Sequence, residues 1–337
     1  LPGLIENRET LYFSWDCNPD FERMLLRTIY RMRRQKRRGT YPPTRLVDAG
    51  TILHEMRLHK GEEEVALLRR AAEVTAAGHL AAMRSVRPGM FEYEVEALVE
   101  HAFRSRGAIG PGYPSIVGGG ANAVILHYIE NRSPLRAGDL LLIDAGAEVE
   151  HYYTADVTRT FPISGRFSES QRQLYEIVLA AQKNAIATVR PGATMRDVHL
   201  RAVETITHGL LELGWLEGNL ETSIEEEAYR PFYMHQTSHW LGMDVHDAGD
   251  YFRGGRERPL EAGMVLTVEP GLYVAPGSKG VDPRYHGIGI RIEDDVLVTP
   301  QGHEVLTSMI PKEIAEIESV MQRPAGEESC HSFLATS

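Results

Sequence analysis

Four carboxylates and three imidazoles are set in this chain where buried charge needs a partner. Asp144 closes the apolar run Leu140-Leu-Leu-Ile143, and Glu269 closes Val265-Leu-Thr-Val268. A second acid follows each: Asp156 within Tyr152-Tyr-Thr-Ala-Asp-Val-Thr-Arg-Thr-Phe161, and Glu293 within Ile288-Gly-Ile-Arg-Ile-Glu-Asp-Asp295. A carboxylate at the end of a buried strand is costly unless it is paired or bound to a cation. Singly, each could cap a strand or pair with an arginine such as Arg159 or Arg291; four converging would repel one another at neutral pH, and divalent metal is the usual remedy. His235, His239 and His246 fall together in Met234-His-Gln-Thr-Ser-His-Trp-Leu-Gly-Met-Asp-Val-His-Asp247. Imidazole suits metal ligation or proton transfer near neutral pH. Oxygen and imidazole donors without thiolate fit Mn²⁺, Fe²⁺, Co²⁺ or Zn²⁺. The chemistry this predicts is two-metal hydrolysis.

The elements that must position these groups are duplicated. Leu135-Arg-Ala-Gly-Asp-Leu-Leu-Leu-Ile-Asp-Ala-Gly146 returns 125 positions later as Leu260-Glu-Ala-Gly-Met-Val-Leu-Thr-Val-Glu-Pro-Gly271, with Asp144 and Glu269 at the same place. A shorter echo, Val86-Arg-Pro-Gly89 and Val189-Arg-Pro-Gly192, ends a helical pattern in each half. Each half therefore reads helix, turn, helix, strands, and the expected fold is α+β with pseudo-twofold symmetry. A hairpin between Asp144 and Asp156 would face the two acids across antiparallel strands. Alternation of Ile288, Ile290 and Ile292 puts Arg291 and Glu293 on one face.

Residues 1–58 form a partial unit, too small for a good core. A long helix begins after Gly61, where three glutamates occupy the first turn. The expected catalytic domain is 59–312, and 313–337 a final helix and a polar tail.

The net charge of −11 disfavours nucleic acid as a partner. The basic run Arg31-Met-Arg-Arg-Gln-Lys-Arg-Arg38 reads instead as the end of an amphipathic helix, where cations suit the helix dipole. No apolar run is long enough for a membrane span. Cys17 and Cys330 make no zinc spacing or disulfide framework, so the expected compartment is the cytoplasm.

Seven segments, in order, resemble the pita-bread metallopeptidases, and within them the Xaa-Pro aminopeptidase (aminopeptidase P) branch. They are Ile116-Val-Gly-Gly-Gly120, Ile125-Leu-His-Tyr128, Leu142-Ile-Asp-Ala-Gly146, Asp156-Val-Thr-Arg-Thr-Phe-Pro162, Ser238-His-Trp-Leu-Gly-Met-Asp-Val-His-Asp247, Val268-Glu-Pro-Gly-Leu-Tyr273 and Gly287-Ile-Gly-Ile-Arg-Ile-Glu-Asp-Asp295. The resemblance implies a pita-bread fold, two duplicated α/β halves around a curved antiparallel sheet, holding two divalent cations, Mn²⁺ first. It implies that Asp144 chelates one metal, His239 and Glu269 the other, while Asp156 and Glu293 bridge both. A hydroxide shared by the metals would attack the Xaa-Pro carbonyl, with Glu269 taking its proton. His127, His235 and His246 would position substrate and stabilise the tetrahedral intermediate; Tyr273 and Arg291 would support His246 and the bridging acid. The implied partners are peptides with N-terminal Xaa-Pro, and the implied assembly a homo-oligomer.

The alternatives are an Xaa-Pro dipeptidase and a non-catalytic pita-bread binding protein; methionine aminopeptidase and creatinase patterns fit less well. Two positions depart from the family. Asp144 and Asp156 stand twelve apart rather than the usual eleven, which places an extra residue in the turn around Glu148 to His151, and Gln236 replaces a common glycine. Residues 1–58 resemble only the end of the family's N-terminal domain.

Overall fold

The computed structural model describes residues 1–15 and 17–322; Cys330 and the tail expected from Pro324 onward lie outside the described residues. The chain divides into two compact units, Leu1–Arg57 and the remainder from Leu58. In the first, strands β1 (Thr10–Phe13) and β2 (Arg45–Asp48) pair in parallel around helix α1 (Pro19–Arg34). Asn18 caps α1 by accepting from Phe21 N–H, Leu25, Ile29 and Met32 are buried on one face, and Arg31, Arg33 and Arg34 fill the last turn. The basic run thus ends an amphipathic helix, as its spacing predicts. Helix α2 (Gly50–Leu58) leads out of this unit.

The second unit is built twice. Helices α3 (Glu62–Ser85) and α4 (Glu92–Ser105) precede strands β3 (Ile116–Gly119), β4 (Leu140–Asp144) and β5 (Thr158–Pro162), an antiparallel sheet with β4 central. Helices α5 (Glu169–Thr188) and α6 (Met195–Glu212) then precede β6 (Val265–Val268), β7 (Gly271–Val274), β8 (Ile288–Arg291), β9 (Asp294–Thr299) and β10 (Gly302–Val305). Capping side chains set the helix starts: Glu64 accepts from Gly61 N–H, Glu94 from Phe91, Gln171 from Ser168 and Asp197 from Thr194. Helix α7 (Ile314–Met321) follows Pro311.

Matched hydrogen bonds reveal the duplication. Gly89 N–H donates to Leu135 O and Gly192 N–H to Leu260 O, both at 2.9 Å. Leu135 N–H returns to Met90 O and Leu260 N–H to Ala193 O. In the second half no named strand corresponds to β3, yet an extended segment takes its place: Leu241 N–H donates to Val265 O, Thr267 N–H to His239 O and Glu269 N–H to Thr237 O. The histidine-rich stretch therefore runs beside β6 as β3 runs beside β4, and is not a helix.

The halves meet where β5 approaches the segment after β8. Glu293 N–H donates to Thr158 O at 3.1 Å, and the Thr160 hydroxyl accepts from Arg291 N–H and donates to Arg291 O. One continuous apolar core, including Val117, Leu141, Ile143, Phe161, Leu266 and Val296, lies under both. Backbone pairing breaks the sheet into sections, β3-β4-β5, β6-β9-β10 and the β7-β8 hairpin, and the breaks fall beside the carboxylates.

Candidate metal centre and cavity

All five residues of β4 are buried, and its last, Asp144, is delivered to a cavity with the chain still extended. Two echoed glycines permit this. A Cβ at Gly146 would lie 1.7 Å from Ala155 O, and one at Gly271 would lie 2.4 Å from the Tyr273 hydroxyl. In the turn between Asp144 and Asp156, His151 and Tyr152 take positive φ (60° and 68°), and β4 and β5 pair without interruption from Leu140–Pro162 to Asp144–Thr158. The acids do not sit directly opposite: Asp144 pairs with Thr158, and Asp156 lies two positions before it, on the same face.

Ligand atoms of Asp156, His239 and Glu293 converge within 4.8 Å of one another. His239 Nε2 is 3.2 Å from Asp156 Oδ2 and 3.4 Å from Glu269 Oε1, bringing the fourth residue alongside. Asp144 joins through Tyr113, whose hydroxyl faces Asp144 Oδ1 at 2.7 Å and Asp156 Oδ1 at 2.5 Å. The five predicted ligands thus line one cavity, three of them with ligand atoms close together.

Electrostatics bear on whether such a set fits a cation. Burial, helped by the charge of Asp156 and opposed by that of His239, raises Glu269 to about 7. Burial, then the charges of Asp156 and Glu269, pushes Glu293 well above the carboxylate range. Asp144 is also raised, chiefly by burial. Burial acts likewise on Asp156, but the hydrogen bond and charge of His239, the Tyr113 hydroxyl and the Arg291 charge together outweigh it and hold the carboxyl low. Burial opposes charge on His239, yet Asp156 and Glu269 lift the imidazole to about 9. These groups carry more negative charge than the site can hold by itself, and divalent cations would compensate it.

The imidazole is oriented for that purpose. His239 Nδ1 faces Trp240 O at 3.0 Å, and since a carbonyl only accepts, Nδ1 carries a hydrogen; Nε2, protonated, donates to Asp156 Oδ2, and would offer its lone pair to a cation once that proton leaves. The donor set therefore fits hard or borderline divalent metal.

Of the remaining predicted residues, Arg291 donates from Nη2 to Asp144 Oδ2 (2.5 Å) and from Nε to Thr158 Oγ1 (3.0 Å). Tyr273 bonds His235 Nε2 at 2.8 Å and accepts from Arg291 Nη1 at 3.1 Å; its hydroxyl thus reaches His235 rather than His246. His235 Nδ1 donates to Gln236 O, and burial followed by the Arg291 charge lowers this imidazole to about 3. Gln236 takes part through that carbonyl, with its side chain exposed. His246 stacks edge-on to His239 with ring centroids 4.4 Å apart, and burial with the His239 charge lowers its pKa. His127 lines the same cavity without joining the ligand cluster.

Sequence reasoning missed several supports. Tyr113 is one. Thr158, which donates to Glu293 Oε2 at 2.6 Å, and Thr267, which donates to Glu269 Oε1 at 3.1 Å, are two more. Asp295 accepts from Asp156 N–H, and buried Arg159 donates to Glu293 O and pairs with Asp294 at 2.7 Å. Strand alternation offered a signal for Thr158 and Thr267, each two residues from a ligand; nothing in the sequence pointed to Tyr113.

The cavity measures about 1030 Å³ and is walled by Tyr229, Tyr233, Met234, Tyr251 and Phe252 as well as the carboxylates. A duplicated α+β fold holding a carboxylate and imidazole centre at the junction of its halves defines the class: a metallohydrolase scaffold of the pita-bread type. Residues 66–300 match metallopeptidase family M24, and the chain belongs to that family. It is 48% identical to an Xaa-Pro aminopeptidase of Escherichia coli K12, an alignment covering 87% of this chain and 66% of the relative. An Xaa-Pro aminopeptidase of Haemophilus influenzae is 49% identical over 82% of this chain and 64% of the relative. The chain thus spans about two thirds of these relatives' length. The structure of Pseudomonas aeruginosa aminopeptidase PepP superposes with a TM-score of 0.92 at 50% identity, covering 95% of this chain and 72% of that one. Proline aminopeptidase P II from Yersinia pestis superposes with a TM-score of 0.90 at 48% identity, covering 94% and 72%.

Proposed function

We propose that this chain is a metal-dependent exopeptidase that releases the N-terminal residue from peptides with proline in second position. The convergence of Asp156, His239 and Glu293 within 4.8 Å, inside a fold shared with aminopeptidases P, is the observation that carries this reading. Asp144 would chelate one divalent cation, His239 and Glu269 the other, with Asp156 and Glu293 between them; Mn²⁺ is the first choice because four of the five ligands are carboxylates. Bound there, the cations would supply Lewis-acid activation of water and of the scissile carbonyl.

The protein's own groups would do the rest. Glu269, raised by burial to about 7, is suited to accept a proton from water at neutral pH. Thr267 Oγ1 holds its Oε1, leaving Oε2 the better placed oxygen. His235, fixed by Gln236 O and Tyr273, and His127 and His246 on the cavity wall would orient the peptide and the developing oxyanion. Proline forms a tertiary amide with no N–H, so a dedicated site that needs no such donor is required. Homo-oligomers and a cytoplasmic setting complete the reading, testable by sizing and fractionation of the intact protein.

The test is turnover of Xaa-Pro-Xaa and Xaa-Ala-Xaa peptides by metal-stripped protein with and without Mn²⁺. Cleavage of the proline peptide alone, restored by metal, is expected. Preference for the dipeptide Xaa-Pro would favour a dipeptidase; no cleavage and no metal uptake would favour a binding protein.

A further inference from the structure

One buried ion pair lies outside the proposed ligand set and next to a cavity histidine. Lys60 Nζ donates to Asp247 Oδ2 at 2.8 Å, and each side chain is only 1% exposed. Asp247 immediately follows His246. Its carboxylate is held at both oxygens, since Oδ1 accepts from Ala248 N–H at 2.9 Å, and its own N–H donates to Trp240 O at 3.0 Å. That last bond closes a loop from Trp240 to Asp247, with His239 just before its start and His246 just before its end. Gly242 makes room for the pair: a Cβ there would stand 2.1 Å from Asp247 Oδ2 and 2.9 Å from Lys60 Cε.

Lys60 is itself anchored. Its N–H donates to Gly263 O at 2.8 Å, in the turn that opens β6. Gly263 has φ +92° and a Cβ there would lie 3.2 Å from Lys60 O, whereas the echoed Gly138 has open space at that point. The second half thus carries a tether running from the β6 turn through Lys60 and Asp247 to the histidine loop, whereas Gly138 O in the first accepts from Gln171 Nε2. A buried ion pair is weak as a source of stability, because desolvation offsets most of its attraction. Its geometry is its main product.

We propose that Lys60 is a positioning residue for His246, acting through Asp247. The proposal rests on the reading of His246 as a group that meets the peptide. With the ammonium removed, the carboxylate loses the bond from Lys60 Nζ in a dry site and the loop relaxes, carrying the adjacent imidazole with it. A displacement of about an ångström at a substrate-orienting group lowers turnover more than binding.

The test compares wild type, Lys60→Met and the apolar pair Lys60→Met/Asp247→Leu, all metal-loaded, by amide hydrogen exchange over residues 240–249, thermal melting, metal stoichiometry and proline-peptide kinetics. For Lys60→Met, faster exchange confined to 240–249, kcat lower by about tenfold, KM within about twofold and full metal content are expected. The double variant should regain the melting temperature but not kcat; it also serves if the single variant fails to fold. Unchanged loop exchange, or recovery of wild-type kcat in the double variant, would overturn the proposal and leave the pair a stability element. If wild type cleaves no proline peptide while loop exchange still rises in Lys60→Met, the functional reading fails and the tether stands.

Discussion

The two halves share a frame but place different chemistry at equivalent points. Leu140 pairs with Pro162, and its echo Val265 pairs with Leu297, so the return strands correspond at an offset of 135 positions. Under that correspondence Asp144 matches Glu269, but Asp156 matches Arg291 and Glu293 matches Thr158. The second acids are thus not symmetry mates, although each follows a strand-end acid in sequence. Two sets of mates touch across the pseudo-twofold: Thr158 donates to Glu293, and Arg159 pairs with Asp294. Duplication supplied the scaffold, and divergence at a few positions turned a symmetric junction into a site with one guanidinium facing its carboxylates. A site of strictly paired acids would carry more charge than two divalent cations neutralise.

Replacement of mates should expose this asymmetry, most strongly at the cluster itself. Asp156→Ala should abolish both metal binding and turnover, by about a thousandfold or more, because its carboxylate meets the cluster from the first half. Metal analysis and peptide kinetics check it; activity within about tenfold of wild type would contradict the assigned bridge. Arg159→Met leaves Asp294 buried with Lys312 but without its mate, and should cost about 3–5 kcal/mol in urea unfolding.

The echoed glycines should separate stability from activity. Gly146→Ala would drive a methyl into a backbone carbonyl, which has little room to retreat, and should cost about 3 kcal/mol. Gly271→Ala would press instead on Tyr273, whose hydroxyl holds His235 and Arg291, so its stability loss should be about 1 kcal/mol with a clearer fall in kcat. Equal melting temperatures for the two variants would deny the difference.

His79 and Gln182 supply the pH test. Each stands seven residues before the valine of its Val-Arg-Pro-Gly echo, and each is fully buried. His79 Nε2 bonds Ala145 O behind β4, whereas Gln182 bonds Asp294. Burial lowers the His79 pKa from 6.5 to about 4. A depressed histidine pKa means the unfolded chain binds more protons between these values, so the stability this group contributes is complete above 6.5 and is lost as pH falls toward 4. Wild type should therefore lose about 2 kcal/mol more than His79→Gln between pH 7 and pH 5, measured by denaturant unfolding.

Much of this was legible in the linear pattern because it is local or repeated. The helix start after Gly61 followed from its three first-turn glutamates, and the cavity-lining positions of Asp144 and Glu269 from apolar runs that end in an acid. Tyr113, Arg159 and Lys60 were not, since each acts on a partner distant along the chain: Tyr113 on Asp144 and Asp156, Arg159 on Asp294, Lys60 on Asp247. The sequence pattern placed a second acid after each strand-end acid; pairing register, which depends on contacts across the sheet, sets Asp156 and Glu293 two positions apart from equivalence.

By itself the sequence determined the duplicated α+β organisation, the identity of the acids and imidazoles, and the strand ends that carry them, because hydrophobic periodicity and turn chemistry act between near neighbours. Only the tertiary structure decided which oxygens meet His239, which carboxylate Arg291 neutralises and what holds the His246 loop in place. Those are contacts between residues distant along the chain, 147 positions for Arg291 and Asp144 and 187 for Lys60 and Asp247, and their energies depend on burial and distance that no local pattern contains.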